Sequence, residues 1–74
     1  MKNYCIIRDD GWSRDLILQS DILNAQRVLL ELFNAANKTK YQSWNEVSPT
    51  GYAIRSFSTD FATYTIKEVE SPNE

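Results

Sequence analysis

Ser20-Asp21-Ile22-Leu23-Asn24-Ala25-Gln26-Arg27-Val28-Leu29-Leu30-Glu31-Leu32-Phe33-Asn34-Ala35-Ala36-Asn37 is the stretch that decides the fold of this 74-residue chain. Ile22, Ala25, Leu29, Leu32, Phe33 and Ala36 recur at three- and four-residue steps and share one helical face. Asn24, Arg27, Glu31, Asn34 and Lys38 fall opposite. A helix carrying such a stripe cannot bury it alone, so the β-like segments on either side must form the sheet that receives it. Ser20 or Asp21 is the expected N-cap, and an acid there suits the helix dipole. The expected end lies between Asn34 and Asn37, since asparagine tolerates a left-handed cap, with Lys38 and Lys40 near the carbonyl terminus.

Upstream, Asn3 to Asp9 and Arg14 to Gln19 both have strand character. A two-residue Asp10-Gly11 turn would set Ile7 against Arg14 and Ile6 against Asp15. A four-residue loop, Asp10-Gly11-Trp12-Ser13, instead pairs Asp9 with Arg14, Arg8 with Asp15, Ile7 with Leu16, Ile6 with Ile17 and Cys5 with Leu18. Opposite charges then meet and apolar residues face apolar ones, so the longer loop is expected, with Trp12 at its tip.

Downstream, three strands are expected: Tyr41 to Val47, Tyr52 to Phe57 and Phe61 to Glu70. Ser48-Pro49-Thr50-Gly51 forms the first turn and Ser58-Thr59-Asp60 the second. Pairing through these turns aligns Val47 with Tyr52, Ile54 with Tyr64 and Tyr52 with Ile66. The helix would rest on Val47, Tyr52, Ile54, Tyr64 and Ile66. Trp44, Arg55, Phe57, Phe61, Thr63 and Lys67 would occupy the uncovered face. The expected fold is therefore an α+β domain of order β-β-α-β-β-β, a mostly antiparallel sheet with one amphipathic helix on one face. It spans residues 1–70, with a frayed tail at 71–74.

Composition removes several functional classes. There is no histidine and a single cysteine, so a disulfide within the chain is impossible and a typical structural zinc site is not expected. A chain this short has only ~3–5 kcal/mol of core-derived stability unless something staples it, which makes a homodimeric structural or small-ligand-binding module, paired through open sheet faces, one expectation. One thiol and no secretory signal fit a reducing, cytoplasmic setting. Apolar runs such as Val28 to Leu30 are too short to span a membrane. The formal net charge of −2 and the mixed signs argue against a nucleic-acid binder, though Arg8, Arg14, Arg55 and Lys67 with Tyr4 and Trp44 are residue types that stack and neutralise single strands.

Catalytic equipment is not legible in the chain. The commonest general acid/base is missing, Cys5 lies within an apolar strand, no serine has a recognisable base, and two glycines cannot make a phosphate cradle. The carboxylates of Asp9 and Asp15 are better explained by Arg14 and Arg8 across the hairpin. Asp9-Asp10-Gly11 reads as a turn and lacks the six to eight oxygens that calcium takes. No cofactor or metal is expected, and the chain reads as a non-enzyme.

Aromatic and charged residues on exposed positions are what remain. Asp9, Asp10, Trp12, Arg14, Trp44, Arg55 and Phe57 form the candidate partner-binding set, since tryptophan and arginine are enriched at interface hot spots. Trp12 either anchors a partner or folds back over the core. Trp44, set opposite Arg55, would make a cation–π contact on the uncovered face. The plan resembles that of small accessory proteins of phages and mobile elements, anti-CRISPR and other anti-defence inhibitors among them. Those pack one helix on a short antiparallel sheet and block a partner's surface. This resemblance of layout implies an inhibitor or regulator that occludes a larger host protein or complex.

Overall fold

Charge pairing sets the hairpin as expected. The computed structural model describes residues 3–48, 50 and 52–69. β1 (Asn3–Asp9) and β2 (Arg14–Ser20) are antiparallel, with Asp9 opposite Arg14, Arg8 opposite Asp15 and Ile7 opposite Leu16. The four-residue loop is thus present. Beyond Leu16 the register slips: Ile17 is an extra residue in β2, so Ile6 meets Leu18 and Cys5 meets Gln19, one position from the expected pairs.

α1 (Ile22–Asn37) begins at Asp21, whose carboxylate accepts from the Asn24 N–H at 2.8 Å. Ala25, Leu29 and Leu30 are its buried residues, with Ile22, Val28, Leu32 and Phe33 packed around them. Its left-handed cap falls one residue beyond the asparagines, on Lys38, at φ 56°. Asn34 then clamps the departing chain: Oδ1 accepts from the Thr39 hydroxyl and the Tyr41 N–H, and Nδ2 donates to the Tyr41 carbonyl.

The strand expected over Tyr41 to Val47 is absent. In its place is a single helical turn, α2 (Trp44–Val47). The Glu46 carboxylate accepts from the Gln42 and Ser43 N–H groups, which satisfies donors at the start of that turn. Trp44 and Val47 then point the same way at a spacing of three, and both join the core. The expected turn at 48–51 falls partly outside the described residues, and the 71–74 tail lies wholly outside them.

β3 (Ser56–Ser58) and β4 (Thr63–Val69) complete one antiparallel sheet of order β2-β1-β4-β3. The N-terminal hairpin therefore joins the C-terminal one through β1 and β4, with Ile6 opposite Ile66 at the centre. Phe57 pairs with Tyr64, three residues along from the Phe61 partner that a three-residue turn would have set. An odd displacement turns every β3 side chain to the other face.

The covered face carries Tyr4, Ile6, Leu18, Phe57, Tyr64 and Ile66, packed under α1 and α2. The open face alternates with it along each strand. There the Ser56 and Thr65 hydroxyls meet at 3.2 Å and those of Ser58 and Thr63 at 2.9 Å, with Lys67 beyond. Ile7 and Leu16 add an apolar strip on β1 and β2. Cys5 is a free, buried thiol. Among the described residues no helix is long and apolar enough to cross a membrane.

Candidate interaction surface at the loop end

Two loops leave the same end of the sheet, because Asp9 closes β1 opposite Thr63, which opens β4. They are built alike. In the first, the Asp10 carboxylate accepts from the N–H groups two and three residues on, those of Trp12 and Ser13, both at 2.8 Å. In the second, the Thr59 hydroxyl accepts from the corresponding N–H groups of Phe61 and Ala62, both at 3.1 Å. The Asp10 N–H donates to the Ser13 carbonyl at 3.3 Å and the Thr59 N–H to the Ala62 carbonyl at 2.8 Å. Side-chain oxygens of this kind fix a turn by replacing main-chain partners.

Each loop holds a large apolar ring at its third position and buries neither. Trp12 is 95% exposed and Phe61 82%. Trp12 does not fold back over the core. The first loop is further tied by Asp9, whose Oδ1 accepts from the Gly11 N–H at 2.9 Å and Oδ2 from Arg14 Nε at 3.1 Å. Gly11, at φ 89°, takes the conformation that a side chain would strain. Arg8 reaches the outer oxygen of Asp10 at 3.4 Å. The Gly11 N–H, and then Arg14, hold the Asp9 carboxyl below its ordinary range. The Ser13 and Trp12 N–H groups, and then Arg8, do the same for Asp10.

Phe61 forms a ridge between two hollows. The hollow on the open face, about 510 Å³, is lined by Asp9, Arg14, Thr63, Thr65 and Lys67. The one toward α1, about 710 Å³, is lined by Arg8, Leu32, Ala36, Asp60 and Tyr64. Charge is concentrated here. Asp9, Asp10, Asp15 and Asp60 face Arg8, Arg14 and Lys67, four acids against three bases.

The structure divides the sequence-predicted set. Asp9, Asp10, Trp12 and Arg14 come together at this end. Trp44 does not: it is 7% exposed, donates from Nε1 to the Gln26 carbonyl at 2.9 Å, and meets the Phe33 ring edge-on at 5.6 Å. A buried indole needs a partner for its N–H, and a helical carbonyl supplies it. Phe57 is likewise a covered-face residue, 5.5 Å from Phe33 and stacked on Tyr64 at 5.2 Å. Arg55 remains exposed but lies over Tyr4, 5.8 Å from the ring centroid, rather than over Trp44. The residues suited to stacking single strands are therefore dispersed, with Trp44 in the core. Phe61 and Asp60 belong to the loop end and were not in the predicted set. Thr59-Asp60 before an aromatic, parallel to Asp10-Gly11 before Trp12, was the sequence signal for them.

Among the described residues, no three His, Cys, Asp or Glu side chains gather as metal ligands. No family model, curated protein or solved structure matches the chain.

Proposed function

We propose that this chain is a non-catalytic protein-binding module, a small inhibitor or regulator of the kind phages and mobile elements encode, which occludes a surface of a larger protein. The observation that carries the reading is Trp12, almost wholly exposed on a loop fixed by Asp9 and Asp10. An indole held in solvent on an ordered segment meets its partner with little further ordering cost. Tryptophan is also the residue most enriched among binding hot spots. Phe61 supplies a second anchor, and the hollows beside it receive side chains from the other surface. The local excess of acid selects a docking site whose apolar pocket is rimmed by lysine or arginine.

The acids at this end support a binding role over a reactive one, since Asp9 and Asp10 are engaged with main-chain N–H groups and arginines. A lone, buried thiol suits a reducing cell interior. The test is affinity capture from a host lysate with wild-type chain and Trp12→Ala in parallel. A protein held by the wild type, released by the variant and weakened by added salt is the expected result. Identical captured sets from the two chains would refute the proposal.

A further inference from the structure

β2 ends the sheet. Its outer row of N–H and C=O groups has no partner among the described residues. The opposite edge, β3, is three residues long, whereas β2 offers seven. Edges of that length are usually guarded by proline, charged side chains or a bulge. Arg14–Ser20 has no proline, and its two charges, Arg14 and Asp15, sit together at one end of the strand. Leu16 (57% exposed), Ile17 (43%) and Leu23, just beyond the strand, are three of the seven large apolar side chains exposed among the described residues.

The bulge decides what fits this edge. Arg14, Leu16 and Gln19 lie on the open face, since they pair with Asp9, Ile7 and Cys5. Asp15, Leu18 and Ser20 lie on the covered face, opposite Arg8, Ile6 and Tyr4. Ile17, the extra residue, has no partner on β1, is half exposed and is absent from the core that Leu18 joins, from which we infer that it shares the open side with Leu16. A second β2 placed antiparallel must set open-face residues against open-face residues. One register does so along the strand: Leu16 against Ile17, Asp15 against Leu18 and Arg14 against Gln19, each reciprocated about a two-fold axis. No like charges meet, the Gln19 amide oxygen can accept from Arg14, and four aliphatic side chains gather at the axis.

We propose that the β2 edge pairs with the β2 edge of a second copy in this register, joining two four-stranded sheets into one of eight. The interface is isologous and closes on itself. A bulge on an edge normally disfavours pairing. Here it brings two neighbouring aliphatic residues to one face and makes the strand complementary to itself.

Sedimentation equilibrium on the full chain from 10 µM to 1 mM, on the order of the range for weak self-association, tests this. The wild type and Trp12→Ala should reach twice the 8.6 kDa chain mass at the upper end. The Leu16→Lys, Ile17→Lys double variant should stay monomeric while keeping its circular dichroism spectrum. A wild type that is monomeric throughout, or a dimer that survives the double variant, overturns the proposal. Should the double variant fail to fold, amide exchange along β2 of the wild type decides. Protection that rises with concentration supports the pairing, and protection independent of concentration overturns it. Loss of dimerisation in Trp12→Ala would also overturn it, by assigning self-association to the loop end.

Discussion

The Nε1 of Trp44 donates to the main-chain carbonyl of Gln26 at 2.9 Å, across eighteen residues of sequence. That bond fastens the segment after α1 back onto the side of α1. With Phe33 edge-on to the same indole, it closes the core at the end where an expected strand is missing. Trp44→Ala should cost about 3–5 kcal/mol of unfolding free energy by cavity formation. Trp44→Phe, which keeps most of the ring and loses the donor, should cost about 1 kcal/mol. Urea unfolding of the two variants checks both figures.

Trp12→Ala and Phe61→Ala should each change stability by no more than about 0.5 kcal/mol, because neither ring packs on the core. Once a partner is in hand, titration calorimetry should show each variant binding more weakly by about 2 kcal/mol or more, roughly thirty-fold.

Acid should loosen the first loop before it unfolds the domain. Asp9 and Asp10 have carboxyl pKa values lowered by folding, chiefly through main-chain N–H donors. Their contribution is complete above the unfolded value of about 3.9 and is lost as pH falls through the lower folded values. The amide resonances of Gly11, Trp12 and Ser13 should hold steady from pH 7 to about 5 and shift together below about 4. Asp10→Asn, which keeps an acceptor, should flatten the Trp12 and Ser13 part of that titration.

Lys38 holds the left-handed cap of α1 without being glycine. Lys38→Gly relieves the strain on Cβ, offset in part by the extra freedom of the unfolded chain, and should raise stability by about 0.5–1 kcal/mol. Thermal unfolding measures the gain.

Legibility followed the physics of each segment. α1 was readable because its stripe repeats over four turns, and the hairpin because two oppositely charged pairs fix its register at Asp9–Arg14 and Arg8–Asp15. The bulge at Ile17 was not readable, since Leu16, Ile17 and Leu18 are interchangeable to any apolar pattern. The expectation of a strand over Tyr41 to Val47 misses the helical turn at Trp44, although Ser43-Trp44-Asn45-Glu46 carries the serine and glutamate spacing that starts a helix. Phe57 fell on the wrong face because its register rested on a three-residue turn, and Thr59 in fact organises four residues, Thr59 to Ala62. The same error puts Phe61, rightly exposed, in a strand and not in the loop. At the loop end, residues near the charge-paired hairpin were found, and those across the misread turn were not.

The two tryptophans sit in opposite surroundings, one wet and one dry, and no other indole competes with them. Their fluorescence therefore separates into a red-shifted signal from position 12 and a blue-shifted one from position 44. Quenching by iodide would silence the first and spare the second. Docking of a partner would be seen in the first channel, and loss of the fold in the other, without a dye or label.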